Sequence, residues 1–247
     1  MISVMTMTES RVTTNGLTAY FQPILDLEKW QVSGVEALAR HEDGSSAFPF
    51  LVQAKREGRY DEVEIPLLDI AMKEARGLPT ALFCTLNISA QGVLNPRLKK
   101  LVEGRSERTW GLEILEDSAR LNEYDQFMAR IAELGCMLLI DDAGEGNSDE
   151  LRIRYLRPTI VKLDRLLLMR AMNVPTERAR LESLIVEGRA HGAKLLAEGV
   201  ETAEQLEFAR ELGCEYAQGY YFSEAVSAQR IPQVIAELEQ RLWIDAN

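Results

Sequence analysis

Two adjacent carboxylates, Asp141 and Asp142, end the apolar run Met137 to Ile140 and lead into a turn at Gly144. A short apolar run bounded by a turn reads as a strand buried on both faces, as in parallel sheets. Along a strand, neighbouring side chains point to opposite faces, so in mid-strand one aspartate would be buried to no purpose. At the carboxyl end, where the chain turns, both can reach one mouth. Charges that close repel and raise a pKa unless a cation sits between them. Taken alone, Asp-Asp would be a solvated acidic loop, but the construction recurs. Glu36, Asn87, Glu113, Lys162, Glu198 and Gln218 also fall at or near the carboxyl ends of predicted strands. Carboxylates plus an amide are hard oxygen ligands, suited to Mg²⁺ or Mn²⁺ rather than zinc. Five carboxylates exceed what one hard cation takes from protein, so two divalent cations are the natural number. Two metals about 3.5–4 Å apart clamp the attacking and leaving oxygens of a phosphoryl displacement. Lys162 among them is either a positioned cation for a phosphate or a base.

The elements that must position these residues emerge from periodicity and punctuation. Strands are predicted at 17–27, 31–40, 81–89, 110–116, 137–142, 159–164, 194–199 and 216–222, the first made an edge or irregular strand by Pro23. Helices are predicted at 49–57, 64–76, 93–107, 122–135, 149–157, 175–191, 202–213 and 229–243. Thr202 and Gln205 have capping-box spacing. Gly135, Gly192 and Gly213 each close a helix just before a strand. Strands alternating with helices mean a mainly parallel sheet, and eight units over this length mean a closed (β/α)₈ TIM-like barrel. Such barrels build their active site at the carboxyl ends of the strands. Residues 17–247 are expected to form this single domain, after a flexible N-terminal segment, 1–16. An open doubly wound sheet is the alternative, but no GxGxxG follows the first strand.

Composition bounds the partners. The chain has 247 residues, 46% hydrophobic and 27% charged, with a net charge of −11. That charge argues against DNA or an anionic membrane as partner, and an anionic substrate would need cations or a local arginine. Cys84, Cys136 and Cys214 sit in apolar contexts without CxxC spacing, which suits core packing in a reducing cytoplasm. Neither a signal peptide nor an apolar run long enough for a membrane span is read in the sequence.

The strand ends read Glu-Ala-Leu-Ala-Arg40, Asn-Ile-Ser89, Leu-Glu-Ile-Leu-Glu116, Asp-Asp-Ala-Gly144, Val-Lys-Leu-Asp164, Ala-Glu-Gly-Val-Glu201 and Gln-Gly-Tyr-Tyr-Phe-Ser223. In this order, from Gln22-Pro-Ile24 almost to the C-terminus, the set resembles the EAL family of cyclic di-GMP phosphodiesterases. The resemblance implies a barrel with one antiparallel strand and hydrolysis of cyclic di-GMP to linear 5′-pGpG. It implies that Glu36, Asn87, Glu113 and Asp141 hold one metal and Asp141, Asp142 and Glu198 the other, with the nucleophile between the ions. Lys162 would orient or deprotonate that nucleophile, with Gln218 in support. Arg40 would bind a substrate phosphate, for which a guanidinium fork is suited, and Gln22 would contact substrate. Glu116 and Glu201 would fix the loop after the fifth strand, and Asp164 would back the site from behind Lys162. His41 and His191 close no strand and are expected to be structural.

One region departs from the family. Its usual Asp-Asp-Phe-Gly-Thr-Gly-Tyr-Ser-Ser-Leu is here Asp-Asp-Ala-Gly-Glu-Gly-Asn-Ser-Asp-Glu-Leu151. Ala143 loses an aromatic anchor, and Glu145, Asp149 and Glu150 are expected to add charge near an anionic substrate. In the family this loop also contacts a dimer partner, which makes a homodimer the expected protein partner. The metal ligands and Lys162 survive these departures, so the leading reading is an active phosphodiesterase. Its alternative is a low-turnover cyclic di-GMP receptor that signals to a partner protein. An enolase-type barrel also uses strand-end carboxylates, Mg²⁺ and a lysine, but explains neither the Asp-Asp pair nor the motif order.

Overall fold

The computed structural model describes residues 14–105, 107–114, 124–144 and 149–246. The chain opens with a hairpin, β1 (Leu17–Asp26) and β2 (Gln31–His41), followed by α1 (Phe48–Arg56) and α2 (Tyr60–Glu74). Next come β3 (Phe83–Ile88), α3 (Ala90–Leu94), α4 (Pro96–Glu103), β4 (Trp110–Ile114), α5 (Tyr124–Leu134) and β5 (Met137–Ala143). The second half holds α6 (Asp149–Leu156), β6 (Ile160–Leu163), α7 (Arg165–Ala171), α8 (Pro175–Ala190) and β7 (Lys194–Ala197). It ends with α9 (Ala203–Glu211), β8 (Tyr216–Ala217), β9 (Val226–Ser227) and α10 (Ile231–Ala246).

Strands β2 to β8 run parallel in chain order, and β1 closes the barrel by pairing antiparallel with both β2 and β8. This is the eight-stranded barrel with one antiparallel strand expected from the sequence. Apolar faces of the surrounding helices pack on the outer side of the strands, through Leu68 and Met72 of α2, Phe127 of α5, Ile153 of α6 and Leu181 of α8. Gly135, Gly192 and Gly213 take positive φ (63°, 78° and 75°), as helix-closing glycines should. Pro23 sits beside a register shift in β1, between Ile24 and Leu25. On the other side of β1 the ladder skips residues 22–24, where Pro23 has no N–H to give.

Four boundaries differ from the sequence reading, each for a physical reason. The segment read as one helix from 93 to 107 is two, because Pro96 cannot continue α3 and holds Asn95 extended. The Asn95 side chain then caps α4 by accepting from the N–H of Arg97. Helix α2 begins at Tyr60, four residues early, with Pro66 inside it, because buried Val63, Glu64 and Ile65 extend its inner face. Helix α7 was not expected; Asp164 starts it, accepting from Leu167 N–H at 2.8 Å. Only Tyr216 and Ala217 of the last predicted strand pair as β8, and a short β9 follows against β1.

The turn from α2 into β3 is held by one buried guanidinium. Arg108 donates to the carbonyl oxygens of Ala75, Leu78, Pro79 and Leu82 at 3.1, 2.9, 2.8 and 2.6 Å. Arg108→Ala orphans four acceptors, so a loss on the order of 3 kcal/mol in urea unfolding is expected. A loss under about 1 kcal/mol would mean that water takes over these bonds.

Candidate active site

Inward-facing side chains stack in layers inside the barrel. The lower layer is apolar: Ile24, Leu139, Ile160, Leu196 and Tyr216, with Phe83 and Met137 against them. The layer above, toward the carboxyl ends of the parallel strands, is polar. Alternation along the strands generates both, since Leu139 and Asp141, Ile160 and Lys162, and Leu196 and Glu198 are each two residues apart.

Lys162 stands at the centre of the polar layer and is 1% exposed. Its Nζ lies 2.5 Å from Glu113 Oε2, 2.6 Å from Asp141 Oδ1, 2.8 Å from Glu198 Oε1 and 3.7 Å from Glu36 Oε2. Burial works against its charge, but Asp141, Glu113, Glu198 and Glu36 outweigh it and hold the pKa well above the usual lysine value. Among these metal-free carboxylates the ammonium is a hydrogen-bond donor and positive pole. With Asp142, five carboxyl groups and one ammonium share one mouth.

β5 solves the problem of aiming two adjacent aspartates one way. Its register against β6 shifts between Ile140 and Ala143, and Asp142 takes φ 50°. Aspartate tolerates that left-handed conformation better than most residues. Oxygens of Asp141, Asp142 and Glu198 consequently lie within 4.8 Å of one another. Gly219 brings the last strand end close: its φ is 155°, and a Cβ there would collide with the Val200 backbone. That contact sets Gln218 beside the Glu198 segment, where Gln218 O accepts from Val200 N–H at 3.0 Å.

The amides are wired to the acids. Asn87 donates to Glu36 Oε1 at 2.9 Å, and Gln218 donates to Glu36 Oε2 at 2.7 Å and to Gln22 Oε1 at 3.0 Å. Gln22 donates in turn to Ser223 O at 3.0 Å, bridging the gap left by Pro23. Among the described residues, four buried side-chain oxygens are left without a hydrogen bond: Thr85 Oγ1, Glu113 Oε1, Asp141 Oδ1 and Gln218 Oε1. The 2.6 Å approach of Lys162 to Asp141 Oδ1 is an ion pair out of line for a hydrogen bond. Orphaned carboxylate oxygens beside a cluster of acids fit hard divalent cations.

Burial, and then the charge of Glu36, push the Glu113 carboxyl up to about 8, against the pull of Lys162. An acid whose folded pKa is raised above its unfolded value stabilises the fold at low pH, and that stability is lost as pH rises through the folded value. Protein held in chelator should therefore melt at progressively lower temperature between pH 5 and about 8. Mn²⁺ should flatten that slope, and a flat profile in chelator would contradict the buried, crowded Glu113.

The remaining predicted residues lie around this centre. Arg40, half-buried, is two pleats beyond Glu36 on β2 and donates to Ala39 O at 2.9 Å. Asp164 caps α7 directly behind Lys162. Glu201 pairs with Arg165 at 3.0 Å, and its N–H donates to Gln205 Oε1. Glu116, Glu145 and the predicted cap Asn122 lie outside the described residues.

The structure corrects the expectation for Asp149 and Glu150. Asp149 is 1% exposed and paired with Arg152, and Glu150 accepts from the Ser183 hydroxyl on α8. Asp149 thus adds no free charge to the mouth, and Glu150 is engaged by α8. Sequence reasoning also missed Glu64, a buried acid of α2 that accepts from Ser89 N–H at 2.6 Å and Ser89 Oγ at 2.9 Å, fixing the end of β3 beyond Asn87. Its signal was a carboxylate on the apolar stripe with Leu68 and Met72.

Comparison with known proteins agrees with this architecture. The chain is 32% identical over 246 residues to the cyclic di-GMP phosphodiesterase NbdA of Pseudomonas aeruginosa, covering 92% of this chain and 30% of NbdA. It spans about a third of the length of the first curated relatives it matches. The solved phosphodiesterase PaMucR in complex with c-di-GMP superposes with a TM-score of 0.75 at 27% identity, over 87% of this chain and 94% of that one. An EAL domain protein of Listeria monocytogenes EGD-e gives 0.72 at 25% identity, over 89% and 92%. The EAL domain profile matches residues 6–225, and with the barrel and its ring of strand-end acids in place, the chain belongs to the EAL domain family.

Proposed function

We propose that this chain hydrolyses cyclic di-GMP to linear 5′-pGpG with the help of two divalent cations, Mg²⁺ or Mn²⁺. The observation that carries the reading is the ring of acids around Lys162, with buried oxygens of Glu113 and Asp141 left without hydrogen bonds. Similarity to NbdA, named a cyclic di-GMP phosphodiesterase, and to PaMucR, solved with c-di-GMP, supports the substrate.

Glu36, Asn87, Glu113 and Asp141 would hold one ion, and Asp141, Asp142 and Glu198 the other. Divalent cations held there would supply neutralisation of phosphate charge and a water nucleophile at neutral pH. Lys162 orients the attacking water or takes its proton, and Gln218 supports it. Arg40 binds a substrate phosphate, and Gln22 borders the substrate. Asp164 fixes the strand end behind Lys162 by capping α7, while Glu116 and Glu201 steady the loop after β5.

Three free cysteines suit a cytoplasmic location, and the net charge of −11 disfavours DNA and membrane surfaces as partners. Among the described residues no helix is long and apolar enough to cross a membrane. A homodimer is the expected protein partner, and Leu151, Tyr155 and Val186 on α6 and α8 offer exposed apolar contacts.

The test is purified protein with cyclic di-GMP and Mg²⁺ or Mn²⁺, products resolved by chromatography. Linear pGpG is the expected product. Intact cyclic di-GMP retained on the protein would instead favour the low-turnover receptor.

A further inference from the structure

Asp149 and Arg152 form a buried cross-link between the ends of two site strands. Asp149 Oδ2 accepts from Gly144 N–H at 2.8 Å, and its Oδ1 pairs with Arg152 Nη1 at 3.2 Å. The other fork of Arg152 donates to Ile114 O at 3.1 Å. Ile114 is the residue after Glu113, and Gly144 lies two residues after Asp142. One ion pair thus ties together the two backbone segments that carry Glu113, Asp141 and Asp142. Both partners are almost fully buried, at 1% and 6% exposure. None of these bonds touches the mouth, so the pair acts on the acids only through the backbone.

We infer that the Asp149–Arg152 clasp is a positioning device that sets divalent-cation affinity by fixing the spacing of Glu113, Asp141 and Asp142. The inference rests on the reading of those acids as a metal site. Asp142 lies two residues before the clasped Gly144, and its φ of 50° is a backbone that residues with a side chain seldom adopt. With Gly144 N–H released, the turn relaxes and Asp142 leaves the 4.8 Å cluster with Asp141 and Glu198. A buried pair fits the task better than a surface contact, since breaking either half leaves an uncompensated charge. It fixes this segment by polar bonds, where Ala143 offers only a small buried methyl.

The experiment is Mn²⁺ binding by electron paramagnetic resonance on the full chain without substrate, alongside thermal melts. The parent should bind Mn²⁺; no binding would sink the metal-site reading itself, and the clasp with it. The double variant Asp149→Leu/Arg152→Leu removes the ion pair and the acceptor of Gly144 N–H without leaving an unpaired buried charge. It should melt cooperatively and bind Mn²⁺ roughly 10–100-fold more weakly, the usual cost of losing a group that orients metal ligands. Glu150→Ala, on the same helix turn but outside the clasp, should bind as the parent does. A folded double variant with parent affinity overturns the inference. Should that variant not fold, Arg152→Lys decides: it keeps the charge beside Asp149 and loses the fork to Ile114. Intermediate affinity supports the clasp, and parent affinity overturns it.

Discussion

Exchanging Lys162 for methionine is expected to lower cyclic di-GMP turnover roughly 10²–10⁴-fold while metals still bind, the usual contribution of a positioned proton-transfer or charge-bearing group. Methionine keeps much of the volume in a 1% exposed position and removes only the ammonium. Five carboxylates then face one another without their internal counter-ion, since Nζ contacts Glu36, Glu113, Asp141 and Glu198. The effect on stability should depend on the metal state. The metal-free variant should melt below the metal-free parent, and Mn²⁺ should raise its melting temperature by more, because ligands that bind only the native state stabilise it. Parent-like turnover would show that Lys162 serves the empty site alone. An unchanged metal-induced shift would show that it does not share the acids with the cations.

Asp141→Asn should be more severe. Asp141 is the residue that both proposed metal sets share, and its oxygen lies with Asp142 and Glu198 in the one cluster spaced to hold an ion among the described residues. Metal-ion catalysis supplies several kcal/mol of charge stabilisation, so the loss should be roughly 10³-fold or more in turnover. Asparagine keeps the shape, and circular dichroism should match the parent. The Mn²⁺ titration should lose at least one ion per chain. Activity within tenfold of the parent would place the chemistry elsewhere in the barrel.

The site was legible in the sequence because barrel strands alternate and each acid comes after an apolar run at its own strand end. Glu113, Asp141 and Glu198 obey that rule, and so does Lys162, whereas Glu36 lies mid-strand, because β2 runs on five residues past it to His41. The groups that hold them in place were not legible. Asp149 reads as added charge near the substrate and nothing local marks Arg152, yet Arg152 reaches a carbonyl 38 residues away. Glu64 answers to Ser89, 25 residues on, and Arg108 to carbonyls 26 to 33 residues back. Local periodicity carries no information about such partners, because the closed barrel alone brings them together. Helix α7 escapes sequence reasoning for a different reason: its Leu-Leu-Leu-Met run is short and without a polar face, and only Asp164 announces it. The aromatic absent at Ala143 reads as a lost anchor. Ala143 is in fact fully buried, and the clasp fixes the segment beside it.

Two-cation hydrolysis is tested most directly by a titration. Protein stripped of metal with a chelator is given cyclic di-GMP, and linear product is measured as free Mn²⁺ is raised. No turnover is expected at the start, and then a rise steeper than one-site binding, because two ions must be in place. Full turnover in excess chelator would contradict a metal-dependent site.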